Sequence, residues 1–124
     1  MIIGTGIDIV EIVRLRKTLE GTGERFLKRV FTPGEQRYCL ARHDPAPHLA
    51  ARFAAKEAVL KALGTGWAQG VTWLDVEVSK PSRGAPIILL HGVAREIAAS
   101  KGVSKIHLSL THTNHYAAAT AILE

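Results

Sequence analysis

Leu49-Ala50-Ala51-Arg52-Phe53-Ala54-Ala55-Lys56-Glu57-Ala58-Val59-Leu60-Lys61-Ala62-Leu63-Gly64 is the stretch whose reading decides the fold. Alanine and leucine are strong helix formers. Leu49, Phe53, Leu60 and Leu63 recur along one apolar stripe, and Gly64 supplies the residue type that ends helices in a left-handed cap. A helix over about 49–63 is therefore predicted as the centre of the core. Glu57 shares a stripe with Ala50, Ala54 and Lys61, where small neighbours leave room for a ligand to approach. Glu57 and Lys61 also have the spacing of a helical ion pair, which contributes only about 0.2–0.5 kcal/mol. Arg52 and Lys56 add positive charge on a neighbouring stripe, for which a solvated face is the ordinary reading. Beyond the helix, Gly64-Thr65-Gly66 offers backbone N–H groups to an anion, although the Gly-Lys-Ser/Thr ending of a P-loop is missing.

Upstream, residues 2–10 read as a β-branched strand that Gly4-Thr5-Gly6 breaks. Within it Asp8 is set among Ile7, Ile9 and Val10, so its carboxylate is expected to be partly desolvated, at a cost of several kcal/mol unless a cation or donors compensate. A divalent ion bridging Asp8 and Glu57 to a phosphate resolves both costs, because magnesium takes one or two carboxylates plus phosphate and water oxygens. A strand-end cap is the competing reading of Asp8. A helix is expected from about Ile12 to Leu19, ending toward Gly21-Thr22-Gly23, then a short basic helix around Arg25 to Phe31. Thr32-Pro33-Gly34-Glu35 has the capping-box spacing with proline at the first helical position. His43-Asp44-Pro45-Ala46-Pro47 reads as a loop.

From Val71 the period changes to two. Val71 to Val78 reads as a strand with Asp75 and Glu77 on its wet face, and Ile87 to Leu90 completes a hairpin. Val93 to Ser100 reads as a helix. Ile106, Leu108 and Leu110 alternate with His107, Ser109 and Thr111, and His115 to Leu123 gives a last strand. The order implies an α+β fold, mostly antiparallel, in a single domain over 1–124. Ser109 and Thr111 share a strand face with His112 at its end, read as donors to a phosphate or ribose or as ordinary edge polarity. His112 and His115 lack a third ligand at zinc spacing.

The net charge is +5. It is concentrated: residues 14–42 carry eight Lys/Arg against three Glu, and the remainder balances. A localised basic surface steers an acidic partner, whether nucleic acid, an anionic membrane or an acidic protein. Single Cys39 excludes an internal disulfide framework. No stretch approaches the roughly 18 uncharged apolar residues of a membrane span, and Met1-Ile2-Ile3-Gly4-Thr5-Gly6 lacks a basic leader, so a soluble, cytoplasmic protein is expected. A chain of this size is also expected to complete its cleft with a second subunit.

Gly6-Ile7-Asp8-Ile9-Val10-Glu11, Arg25-Phe26-Leu27 leading to Phe31-Thr32-Pro33-Gly34-Glu35, Arg52 to Ala58 with Lys61 to Gly66, and Ser109-Leu110-Thr111-His112-Thr113 together resemble the holo-[acyl-carrier-protein] synthases of the 4'-phosphopantetheinyl transferase superfamily. The resemblance runs from the first strand to the C-terminus. It implies transfer of the phosphopantetheine arm of coenzyme A to a serine of apo-acyl carrier protein, in fatty acid biosynthesis, with release of adenosine 3',5'-bisphosphate. By the same resemblance, Asp8 and Glu57 hold Mg2+, and Lys61 binds the diphosphate. Ser109 and His112 hold the adenosine 3'-phosphate end, Arg52 and Lys56 are further phosphate contacts, and Gly64, Thr65 and Gly66 approach the cofactor by backbone. Arg14, Arg25 and Phe26 meet the acidic recognition helix of the carrier protein. The base is left between Glu57 and a water held by Asp8. Relatives of this kind form homotrimers with interfacial sites. Gly84-Ala85-Pro86 departs from the Gly-Lys-Pro that relatives often carry. No nucleic acid or membrane is expected as a partner; the rival readings are a basic nucleic-acid-binding module and a non-catalytic nucleotide binder.

Overall fold

The computed structural model describes residues 1–65 and 68–124. Strand β1 (Gly4–Glu11) leads into helix α1 (Ile12–Val30), followed by α2 (Pro33–Leu40) and α3 (Pro45–Leu63). A hairpin of β2 (Val76–Ser79) and β3 (Ile87–Leu90), helix α4 (Gly92–Ser100), β4 (Ile106–His112) and β5 (Tyr116–Leu123) complete the chain. The main sheet is antiparallel in the order β1-β5-β4, and β2-β3 pair separately. The fold is α+β, as the element order implied.

Helix α3 lies across one face of the main sheet, and alanine governs how closely. Ala54, Ala55, Ala58 and Ala62 of the helix pack with Ala119 and Ala121 of β5. Small side chains on both surfaces explain a strand whose alanines have little strand preference of their own, since packing overrides propensity. The glycines take this further. A Cβ on Gly6 would lie 1.9 Å from the Ala58 carbonyl oxygen, and one on Gly4 would lie 2.1 Å from that of Ala62. Gly4-Thr5-Gly6 therefore does not break the strand. It lies within β1 and lets the strand press directly on the helix backbone. Gly6→Ala is expected to lose at least the roughly 1–3 kcal/mol of an overpacked core, with a melting temperature lower by about 5 °C or more. A thermal melt unchanged by that substitution would refute the close approach.

Other boundaries moved for identifiable reasons. The two helices expected between Ile12 and Phe31 are one run, interrupted at Thr22 by non-helical backbone (φ −110°, ψ 35°) between Gly21 and Gly23. Helix α3 starts within the expected loop, because Pro45 at the first turn needs no N–H partner. Asp44 pairs instead with Arg16, at 2.8 Å from Nη1 to Oδ1. The strand expected from Val71 begins only at Val76, because Trp73–Asp75 is a 3-10 turn. There Asp75 is not on a wet strand face: its carboxylate accepts from Thr72 Oγ1 (3.1 Å) and from the Ala94 N–H at the start of α4 (3.2 Å). The capping box at α2 is present in both directions between Thr32 and Glu35.

Candidate functional site

The close approach of β1 to α3 brings Asp8 beside Lys61. Lys61 Nζ donates to Asp8 Oδ1 at 3.0 Å and to the Ile7 carbonyl at 2.9 Å. Lys61 thus reaches across to the strand, rather than back along its own helix to Glu57 as the i,i+4 spacing had implied. The burial of Asp8 also has a different origin. Strand alternation turns Ile7 and Ile9 outward, each 66% exposed, while Asp8 faces α3 with its side chain 18% exposed. Glu57, on α3, accepts a hydrogen bond at Oε1 from Trp73 Nε1 at 2.9 Å.

Both carboxylates line one cleft of about 520 Å³, whose walls include Arg14, Phe26, Phe53 and Tyr116. A carboxylate offers two oxygens, and the bonds just described use Oδ1 of Asp8 and Oε1 of Glu57. A pair of hard oxygen donors opening on a cleft with apolar and aromatic walls suits a divalent ion such as Mg2+, which fills its shell with phosphate and water. Among the described residues no cluster of three or more His, Cys, Asp or Glu forms a protein-only cage. A metal held here would therefore complete its shell with oxygens from solvent or, when it is bound, from substrate.

Several of the other sequence candidates lie elsewhere. Lys56 is fully buried, and its ammonium is used up: it pairs with Glu35 Oε1 at 2.7 Å and donates to the carbonyls of Val76 (2.6 Å) and Trp73 (3.1 Å). Three donors meeting three acceptors leave none for a phosphate, so Lys56 is corrected from cofactor contact to core ion pair. Arg52 is likewise buried, its guanidinium 4.2 Å from the Tyr38 ring and donating to the His48 carbonyl. His112 stands on the same side of the fold, its ring 5.4 Å from that of His48. Burial, followed by the charges of His112, Arg52 and Arg42, pushes the His48 imidazole below its usual range. Arg52 and His112 thus gather at His48 and do not line the Asp8 cleft.

Ser109 is exposed on the sheet face opposite α3, paired in register with Thr120, so a single chain does not bring it to Asp8. Gly64 is the left-handed cap expected (φ 77°), but its N–H is spent on the Leu60 and Lys61 carbonyls, which removes it as a backbone donor to a ligand. Thr65 follows that cap, and the expectation for Gly66 lies outside the described residues. Arg14 and Phe26 line the cleft itself, and Arg25 borders a separate hollow with Lys28. Burial pushes the Cys39 thiol up to about 11, which keeps it protonated and inert. Sequence reasoning missed Phe53 as a cleft wall and Trp73 as the partner of Glu57, since it assigned the first to the core stripe and the second to a strand.

A family model described as the 4'-phosphopantetheinyl transferase superfamily matches residues 4–121. The chain is 49% identical over 124 residues to the holo-[acyl-carrier-protein] synthase of Koribacter versatilis, covering 100% of this chain and 99% of that one. It is 48% identical to the enzyme of the same name from Solibacter usitatus, with the same coverage. Among solved structures, it superposes on holo-[acyl-carrier-protein] synthase from Neisseria meningitidis with a TM-score of 0.89 at 32% identity, covering 100% and 99% of the two chains. The Helicobacter pylori protein of that name, in complex with coenzyme A, gives a TM-score of 0.84 at 31% identity, covering 97% and 99%.

Proposed function

Since this chain belongs to the 4'-phosphopantetheinyl transferase superfamily, we propose that residues 1–124 form one transferase domain that moves the 4'-phosphopantetheine of coenzyme A onto a serine of apo-acyl carrier protein. The observation that carries this function is the convergence of Asp8 and Glu57, from distant parts of the sequence, on one cleft. The Helicobacter pylori relative bound to coenzyme A supports the choice of co-substrate. In the reaction the serine Oγ attacks the β-phosphate as its proton passes to Glu57 or to a water held by Asp8, the bond to adenosine 3',5'-bisphosphate breaks, and that bisphosphate leaves. Asp8 and Glu57 hold Mg2+, which when bound neutralises diphosphate charge and orients it. Lys61, already at Asp8 and half exposed, adds a cation for the same diphosphate. Catalysis by this chain is then mainly positioning and electrostatic stabilisation. The test is chromatographic: adenosine 3',5'-bisphosphate should accumulate only when this chain, coenzyme A, apo-acyl carrier protein and Mg2+ are all present. Its accumulation without carrier protein would count against transfer.

The carrier protein docks on the basic side of α1, around Arg14, Arg25 and Phe26. Arg14 and Phe26 standing in the wall of the cleft supports this placement, because a partner held there presents its serine to the carboxylates. Arg14→Glu is expected to raise KM for the carrier protein roughly tenfold or more with kcat little changed, since a rim charge acts mostly on encounter. Steady-state kinetics at low ionic strength measures it, and an unchanged KM would remove Arg14 from the docking surface.

A homotrimer with interfacial sites is the assembly proposed. The sheet face opposite α3 supports it: Ile7, Ile9, Tyr116 and Ile122 form an apolar surface that stands exposed in the single chain, larger than isolated apolar side chains require. Ser109 lies on that face, so a second copy covering it would supply the serine to a neighbouring cleft. Among the described residues no helix is long and apolar enough to cross a membrane. A cytoplasmic location in fatty acid biosynthesis goes with this function.

A further inference from the structure

Glu57 is a flexible side chain asked to hold one orientation, and the structure contains a fixed donor aimed at it. Trp73 Nε1 donates to Glu57 Oε1 at 2.9 Å. The indole is immobilised from several directions. Its ring stacks on Phe53 at 6.2 Å and 27°, the Arg29 guanidinium lies 5.7 Å over it, and the Trp73 backbone carbonyl accepts from the buried Lys56 ammonium at 3.1 Å. Phe53 and Lys56 sit on the same helix as Glu57, one turn and one residue before it. The donor and the carboxylate are therefore registered to one rigid element, and movement of the turn Trp73–Asp75 relative to α3 is opposed by a stack and a hydrogen bond.

We propose that Trp73 is a positioning residue, whose indole N–H fixes the Glu57 carboxylate with one oxygen engaged and the other available to a divalent cation. This rests on the metal-assisted transfer proposed above. The physical basis is general: groups hydrogen-bonded to a metal-binding side chain set its orientation, and their loss weakens metal binding or activity by about 10- to 100-fold. Phenylalanine retains the stack on Phe53 and lacks only the N–H, so it separates positioning from packing.

The experiment uses the full chain and Mn2+, whose free-ion paramagnetic resonance signal disappears on binding, with no substrate present. Trp73→Phe is expected to weaken Mn2+ binding by about 10- to 100-fold. In turnover it should lower kcat while leaving KM for the carrier protein unchanged, a split that loss of packing alone does not produce. Binding of Mn2+ as tight as in the unaltered protein would overturn the proposal. A second measurement guards against a variant that folds poorly. The Trp73 indole N–H resonance, identified by its loss in Trp73→Phe, is expected to move upfield in Glu57→Ala. A resonance that stays in place would overturn the hydrogen bond on which the proposal stands. This shift is read without turnover, so failure of the positioning role is distinguishable from failure of the transfer reaction itself.

Discussion

Asp8→Ala and Glu57→Ala are each expected to lower kcat/KM for carrier-protein modification by roughly 10³-fold or more, the scale on which charge stabilisation in a dry site acts. Neither substitution should unfold the protein. Among the described residues the cation bonded to Asp8 is Lys61, whose side chain is 54% exposed; an ion pair that wet contributes at most about 1 kcal/mol. Glu57 is partly exposed and bonded to Trp73, so its removal costs a hydrogen bond of about 1 kcal/mol. Activity and stability are thus expected to separate: near-normal melting curves with turnover gone. Normal turnover in either variant would remove that carboxylate from the proposed metal pair.

The largest effect on stability is expected at Glu35, far from the chemistry in role though one residue from it along α3 through Lys56. Glu35 is fully buried and uses both oxygens. Oε1 accepts from the Thr32 N–H at 2.8 Å and pairs with Lys56, while Oε2 accepts from the Val78 N–H at 2.7 Å. One side chain therefore ties α2, α3 and β2 together. Glu35→Ala leaves an ammonium in the core without its counter-charge and two buried N–H groups without acceptors, a loss of about 3–5 kcal/mol. Against a typical total of about 5–15 kcal/mol, that is a large share. The pH dependence has a definite sign. Burial already holds the Lys56 ammonium below its ordinary 10.5, with Glu35 pulling the other way. Removing Glu35 takes away the largest upward pull and leaves the weaker ones of Glu77 and Cys39 against burial, so the folded variant gives up that proton more readily while the unfolded chain keeps it up to about its ordinary value. The unfolded state then binds more protons, and stability of Glu35→Ala relative to the unaltered protein should recover as pH rises. Urea denaturation across the alkaline range measures both features, and a deficit under about 1 kcal/mol would contradict the role assigned to the pair.

Much of the scaffold was legible because its signals are local. The alanine-rich helix, its Gly64 cap, the Thr32–Glu35 capping box and the alternation of β4 depend on neighbours a few residues away, and each is present, the helix starting one turn earlier than its spacing put it. Asp8 and Glu57, which line one cleft, stood out as candidates because a carboxylate among apolar residues is conspicuous wherever the chain runs. What escaped notice depends on contacts between distant segments. Gly4 and Gly6 look like strand breakers until α3 is laid against them. Lys56 looks like a surface lysine until Glu35 is brought beneath it. Trp73 looked like one alternating residue of a strand, and only the 3-10 turn aims its indole at Glu57. Ser109 and the outward Ile7 and Ile9 lie on an exposed sheet face, and the role proposed for it needs another copy of the chain.

The most direct measurement is the intact mass of apo-acyl carrier protein after incubation with this chain, coenzyme A and Mg2+, beside a control containing EDTA. A gain of one phosphopantetheine mass on the carrier serine, abolished by EDTA and by Glu57→Ala, is the predicted result. An unmodified carrier in the presence of the folded chain, across several carrier proteins, would contradict the transferase assignment and favour a protein that binds coenzyme A without acting on it.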